Sequence, residues 1–207
     1  MKTNHLLYAI VLSLLILTPN NASSQESVKI GNQVWMTKNL DVDRFRNGDI
    51  IPHAKTDDKW SDAFDNESPA WSYLDNDPAN GKQHGKIYNW YAINDPRGLA
   101  PKGWKVPTVK DWKTLVANLK KPSDKRKLGW TFNRDNDNPK DRKQTFGGYR
   151  HRFGSFSWEN QRIYYWTSTA ISHSDAWTFM MADEFNQIFQ DGGAKSDGNY
   201  VRCIEEE

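Results

Sequence analysis

Residues 107–122 read PTVKDWKTLVANLKKP, and with the strand-like stretches beyond Gly129 they decide the fold class. Thr108 is a good helix N-cap, and Asp111 three residues on completes a capping-box pattern. Trp112, Leu115, Val116 and Leu119 then fall at i, i+3, i+4 and i+7, which makes one buried face. Lys120 and Lys121 suit the negative end of a helix dipole, and Pro122 stops the helix. Past Gly129 the pattern turns to strands. Residues 163–167, 176–180, 187–189 and 200–204 are β-branched and aromatic, with Gly192-Gly193 and Asp197-Gly198 read as turns between them. The sum is an α+β fold: one or two helices on a twisted, mostly antiparallel sheet with long loops.

Upstream, residues 28–36 (VKIGNQVWM) alternate apolar and polar on both sides of Gly31-Asn32, a two-residue hairpin signal. Residues 57–85 are rich in Asp, Asn, Pro, Ser and Gly, and predict a long ordered loop pinned by Trp60, Phe64, Trp71 and Tyr73. Residues 86–93 (KIYNWYAI) fit a short helix. The basic cluster Lys120, Lys121, Lys125, Arg126 and Lys127 reads as a solvated loop after the main helix.

The N-terminus carries Lys2 and then an apolar run over residues 6–17 (LLYAIVLSLLIL). A membrane-spanning helix needs roughly 20 such residues, so the run has the length of a signal-peptide core instead. Pro19 breaks it, and Ala22-Ser23-Ser24 supplies small residues for cleavage before Gln25. Residues 1–24 are therefore expected to be a signal peptide and 25–207 a single exported domain, secreted or periplasmic, with no stable membrane insertion after cleavage. The chain's net charge of +2 argues against a nucleic-acid partner. Cys203 is the only cysteine, so no internal disulfide exists, and stability must come from a core fed by 10 Trp, 8 Tyr and 9 Phe.

Three blocks carry a family resemblance. Residues 28–40 (VKIGNQVWMTKNL), 85–93 (GKIYNWYAI) with 99–115 (LAPKGWKVPTVKDWKTL), and Tyr165-Trp166-Thr167-Ser168-Thr169 with 199–203 (NYVRC) resemble the "Fibrobacter succinogenes major paralogous domain" family. The resemblance implies an exported bacterial protein with a fold related to C-type-lectin-like and formylglycine-generating-enzyme-like domains, and supplies no activity. It also implies a cysteine before the Pro-x-Gly-Trp segment that would pair with the closing cysteine. Here that position is Ala100, which leaves Cys203 alone. The family's Gly-rich stretch ending in Arg survives as residues 146–150 (FGGYR).

Chemistry is sparse. A formylglycine-type oxidase relies on cysteines to hold copper, and one cysteine in a strand-like Val-Arg-Cys-Ile setting reads as buried. His173-Ser174-Asp175 has the residue types of a hydrolase, but sequence neighbours point apart, and it reads as a turn. His53, His84, His151 and His173 are isolated, without zinc spacing. No cofactor is implied. Calcium is the one ion with a ligand set on offer: residues 75–86 fail the EF-hand register, while Asp135, Asp137 and Asn138 place hard oxygens in one loop, as an Asx-rich turn also would.

Sugar stacking is the remaining option. Trp60, Trp71, Tyr73 and Trp158 lie in polar, loop-like surroundings, whereas Trp35, Trp90, Trp104, Trp112, Trp130, Trp166 and Trp177 sit in patterned segments and are expected in the core. The expected function is an exported, non-enzymatic recognition or structural domain that binds glycan or protein at the cell surface or in the periplasm. The alternative is a secreted enzyme acting on carbohydrate.

Overall fold

A computed structural model describes residues 26–130, 146–185 and 187–206. Residues 1–24, expected to be a signal peptide, and the calcium candidates Asp135, Asp137 and Asn138 lie outside the described residues.

The chain opens with the expected hairpin, β1 (Ser27–Ile30) and β2 (Gln33–Met36), paired antiparallel across Gly31-Asn32. Two helices come next where the sequence predicts a loop: α1 (Asp57–Asp65) and α2 (Pro78–His84). Local capping explains both. Thr56 Oγ1 accepts from Lys59 N at 3.3 Å, and Asp77 Oδ1 accepts from Ala79 N at 2.9 Å with Pro78 in the first turn. The same Asp, Asn and Pro residues that read as loop formers are helix starters here.

Between and after them run β3 (Trp71–Ser72), β4 (Ile87–Tyr88), the single-turn helix α3 (Trp90–Ile93) and β5 (Trp104–Lys105). Helix α4 (Val109–Asn118) begins at Thr108 with the predicted capping box: Thr108 N donates to Asp111 Oδ2 at 2.9 Å, and Asp111 N to Thr108 Oγ1 at 3.2 Å. It buries Trp112 and Leu115, with Val116 and Leu119 partly covered. Pro122 does more than stop this helix. It stands in the first turn of α5 (Pro122–Lys127), so most of the basic cluster lies on a helix rather than a loop.

The second half supplies β6 (Gly147–Arg150), β7 (Phe156–Glu159), β8 (Arg162–Ala170), β9 (Asp175–Ala182), β10 (Gln187–Ala194) and β11 (Ile204–Glu205). Five of these form the main sheet in the order β10-β9-β8-β6-β7, antiparallel except where β6 meets β8. A second sheet runs β1-β2-β11-β5, and β3-β4 forms a small pair. Gly192-Gly193 lies inside β10 rather than in a turn, and of residues 200–204 only Ile204 belongs to a strand. Tyr200 instead makes an isolated parallel bridge to Tyr165.

β8 is buried on both faces. Ile163 and Tyr165 enter a cluster with Trp35, Trp60, Trp112, Trp130 and Phe179, while Trp166 enters another with Trp71, Tyr88, Trp90, Val201 and Cys203. Trp35, Trp90, Trp112, Trp130 and Trp166 are core as expected, whereas Trp104 and Trp177 are half-buried. Cys203 is fully buried, in the same cluster as Ala100, and burial pushes its thiol up to about 12.

Two arginines tie these layers together. Arg150, with no exposed surface, donates to Gly154 O, Ala54 O, Asn76 Oδ1 and Asp57 Oδ1, each at 3.0 Å. Its guanidinium lies between the rings of Trp60 and Phe156, at 4.7 and 4.9 Å from their centroids. Arg202 donates to Asn39 Oδ1, Met36 O, Thr37 O, Leu128 O and Tyr165 Oη.

His84 ends α2 in the interior, 5% exposed, with Nδ1 lacking a hydrogen-bond partner. Desolvation lowers its pKa from 6.5 to about 4. The unfolded chain therefore binds this proton more tightly, so stability present above pH 6.5 is lost as pH falls through about 4. At pH 4 the loss should approach roughly 2–3 kcal/mol. Melting temperatures across this window should fall steeply for the natural chain and less steeply for His84→Leu; parallel curves would rule this out.

Candidate functional site

On the outer face of the main sheet, Tyr149, Trp158, Tyr164, Thr178, Asp191, Asp197 and Asn199 line a cleft of about 180 Å³ together with Gly192 and Gly193. Its floor follows from strand register. Thr178 on β9 stands opposite Trp166 of β8 on one side and Asp191 of β10 on the other. Along β8, Tyr165 turns into the core, and its neighbour Tyr164 takes the opposite face. Gly193 leaves the space open. A Cβ there would sit 3.4 Å from the Trp166 ring and 3.6 Å from Thr178 Cγ2.

One wall comes from β6 and β7. Gly148 has φ +65°, and a Cβ on it would fall 2.2 Å from Ser157 O, so only glycine lets the two strands approach. Tyr149 follows it and meets the Tyr164 ring edge-on at 5.2 Å between centroids. Trp158 stands opposite Gly147–Tyr149 on β7 and is 42% exposed. Its backbone is left-handed, φ +65°, a conformation that costs an aromatic residue about 1–3 kcal/mol. The Arg162 guanidinium lies 4.1 Å from the Trp158 ring centroid and fixes the ring from one side.

The other wall is the Asp197–Asn199 turn. Gly198 exchanges backbone hydrogen bonds with Arg150, at 2.9 and 2.6 Å, which locks the turn to β6. Asp197 Oδ1 accepts from Arg152 N at 2.9 Å, and burial pushes its carboxyl pKa up despite that bond. Thr178 Oγ1 is buried without a hydrogen-bond partner, on a residue 1% exposed. A buried hydroxyl left unpaired costs about 1–3 kcal/mol.

Of the sequence candidates, only Trp158 reaches this cleft. Trp60 is 1% exposed beneath Arg150, and Trp71 is 6% exposed with its Nε1 donating to Ile51 O at 2.9 Å. Both rings anchor the 50–85 region and are not exposed stacking surfaces. Tyr73 is half-buried and packs edge-on against Trp71 at 5.1 Å, in a separate stack with His53 and Lys86. His173 and Ser174 lie in the exposed β8–β9 connection and Asp175 opens β9, its Oδ2 accepting from the hydroxyls of Ser172 and Ser174. Among the described residues no group of three or more His, Cys, Asp or Glu side chains could hold a metal ion, and no helix is long and apolar enough to cross a membrane.

The cleft residues other than Trp158 do not stand out in the sequence, because Gly192-Gly193 reads there as a turn. A glycine pair between Gln187-Ile188-Phe189 and Ala194 also fits a strand that leaves a gap over its neighbour, and that is the signal the sequence offers.

The molecule is an α+β domain with an aromatic and acidic cleft on one sheet face. The chain belongs to the Fibrobacter succinogenes major domain family, whose model matches residues 28–205. No curated protein and no solved structure matches it.

Proposed function

We propose that this protein is an exported, non-enzymatic recognition domain that binds a neutral glycan unit in the Tyr149–Trp158–Tyr164 cleft. The observation that carries the reading is Trp158. A large aromatic ring is held exposed, on a strained backbone, in a cleft lined by further aromatic and polar side chains. Aromatic faces suit the C–H groups of a pyranose, and Asp191, Asp197 and Asn199 offer acceptors and donors to its hydroxyls. Export is supported by the charged, apolar and small-residue order of residues 1–24.

The test is a glycan-array screen followed by titration of the best ligand. Trp158→Gly relieves the left-handed strain, so it should weaken binding at least about tenfold while stability stays equal or rises. Gly193→Val, which fills the cleft from below, should weaken binding similarly. Full affinity in both variants would end this reading. A second reading is favoured by Asp197, whose raised pKa beside Asp191 in one cleft resembles the acid of a carbohydrate-cleaving pair. Polysaccharide turnover lost in Asp197→Asn would select it instead.

A further inference from the structure

A second cleft, about 800 Å³, opens away from the aromatic one, between the β2–α1 connection and helices α2 and α5. Its floor is chemically spent. Arg202 is 4% exposed and committed to Asn39, Tyr165 and three backbone carbonyls. The Tyr165 hydroxyl donates to Asn39 Oδ1 at 3.1 Å and accepts from Trp130 Nε1 at 3.2 Å. This network gives the cleft a rigid base but leaves no donor for a ligand.

The rim differs. Lys38 pairs with Glu26 at 3.1 Å and Lys127 with Asp124 at 3.2 Å. Lys82 from α2 and Arg126 from α5 are exposed, line the same cleft, and have no ion-pair partner among the described residues. Two short helices, distant in sequence, thus bring to one concavity two cations without an ion-pair partner among the described residues. The rim also carries Glu26, and Asp41 held by Lys86. Two cations match a short ligand of few charges, whereas duplex nucleic acid carries one per about 1.7 Å of its axis. The exposed Glu26 and Asp41 carboxylates can accept from the hydroxyls of a sugar chain.

We propose that this cleft binds an acidic oligosaccharide, its carboxylates held by Lys82 and Arg126. The site is independent of the aromatic cleft, and the two can fail separately. A titration with trigalacturonate at low salt should show saturable binding that weakens at least about tenfold when salt is raised to about 0.5 M. Lys82→Glu and Arg126→Glu should each weaken it at least about tenfold, and methyl esterification of the ligand should abolish it, because both remove the charge pairing. Both substitutions are at exposed helix positions, and an unchanged melting temperature will confirm folding. Trp158→Gly should leave this binding intact. The proposal is overturned by absent binding, by affinity indifferent to esterification or to both substitutions, or by a DNA duplex that binds more tightly than the uronate.

Discussion

Arg150→Ala should lower unfolding free energy by about 3–5 kcal/mol, read from urea denaturation followed by tryptophan fluorescence. The side chain is fully buried, and its removal strands the acceptors on Gly154, Ala54, Asn76 and Asp57 at once. It also empties the slot between Trp60 and Phe156. Burial lowers the guanidinium pKa to about 10 against the opposing pull of Asp57, so the charge persists at neutral pH. Arg150→Lys should recover little, because an ammonium cannot reach four partners on three separate segments from one point. A loss under about 1 kcal/mol would mean that the guanidinium does not clamp these segments together.

The second large effect lies in the core. Trp112 has no exposed surface and stands at the centre of an aromatic stack, with ring centroids 5.1 Å from Phe179, 5.2 Å from Trp35, 5.3 Å from Tyr165 and 6.0 Å from Trp130. Trp112→Ala should cost about 3–5 kcal/mol through lost burial and the cavity left behind. Trp112→Phe should cost far less than its volume change suggests. The indole Nε1 is buried without a partner, so its deletion removes an uncompensated polar group along with the ring. Losses in proportion to the volume removed in the two variants would show that volume alone governs the site.

These outcomes also show how far the sequence could be read. Helix α4 was legible because Thr108 and Asp111 fix its start locally and Trp112 to Leu119 repeat at the helical period. The β1–β2 hairpin and strands β8 and β9 were legible for a similar reason, a local pattern with a matching turn. Helices α1 and α2 were not, because their polar composition matches loops and only tertiary burial of Trp60 and His84 reveals an inner face. Trp60 and Trp71 misled for the same reason: polar neighbours in sequence do not make a ring polar in its surroundings. The cleft depends on register between β8, β9 and β10, and cross-strand register is a long-range property that no single segment carries.

The glycine pair in β10 has an evolutionary side. Strand pairing across β9 and β10 uses backbone atoms, so a side chain at 193 would meet only Trp166 and Thr178 at ordinary contact distance, and one at 192 would have to displace the end of Ile171. A duplicated copy of this gene could close the cleft, narrow it or change its chemistry by altering two codons, with every strand left in place. One scaffold could in this way give rise to a repertoire of specificities, each a short mutational step from the next.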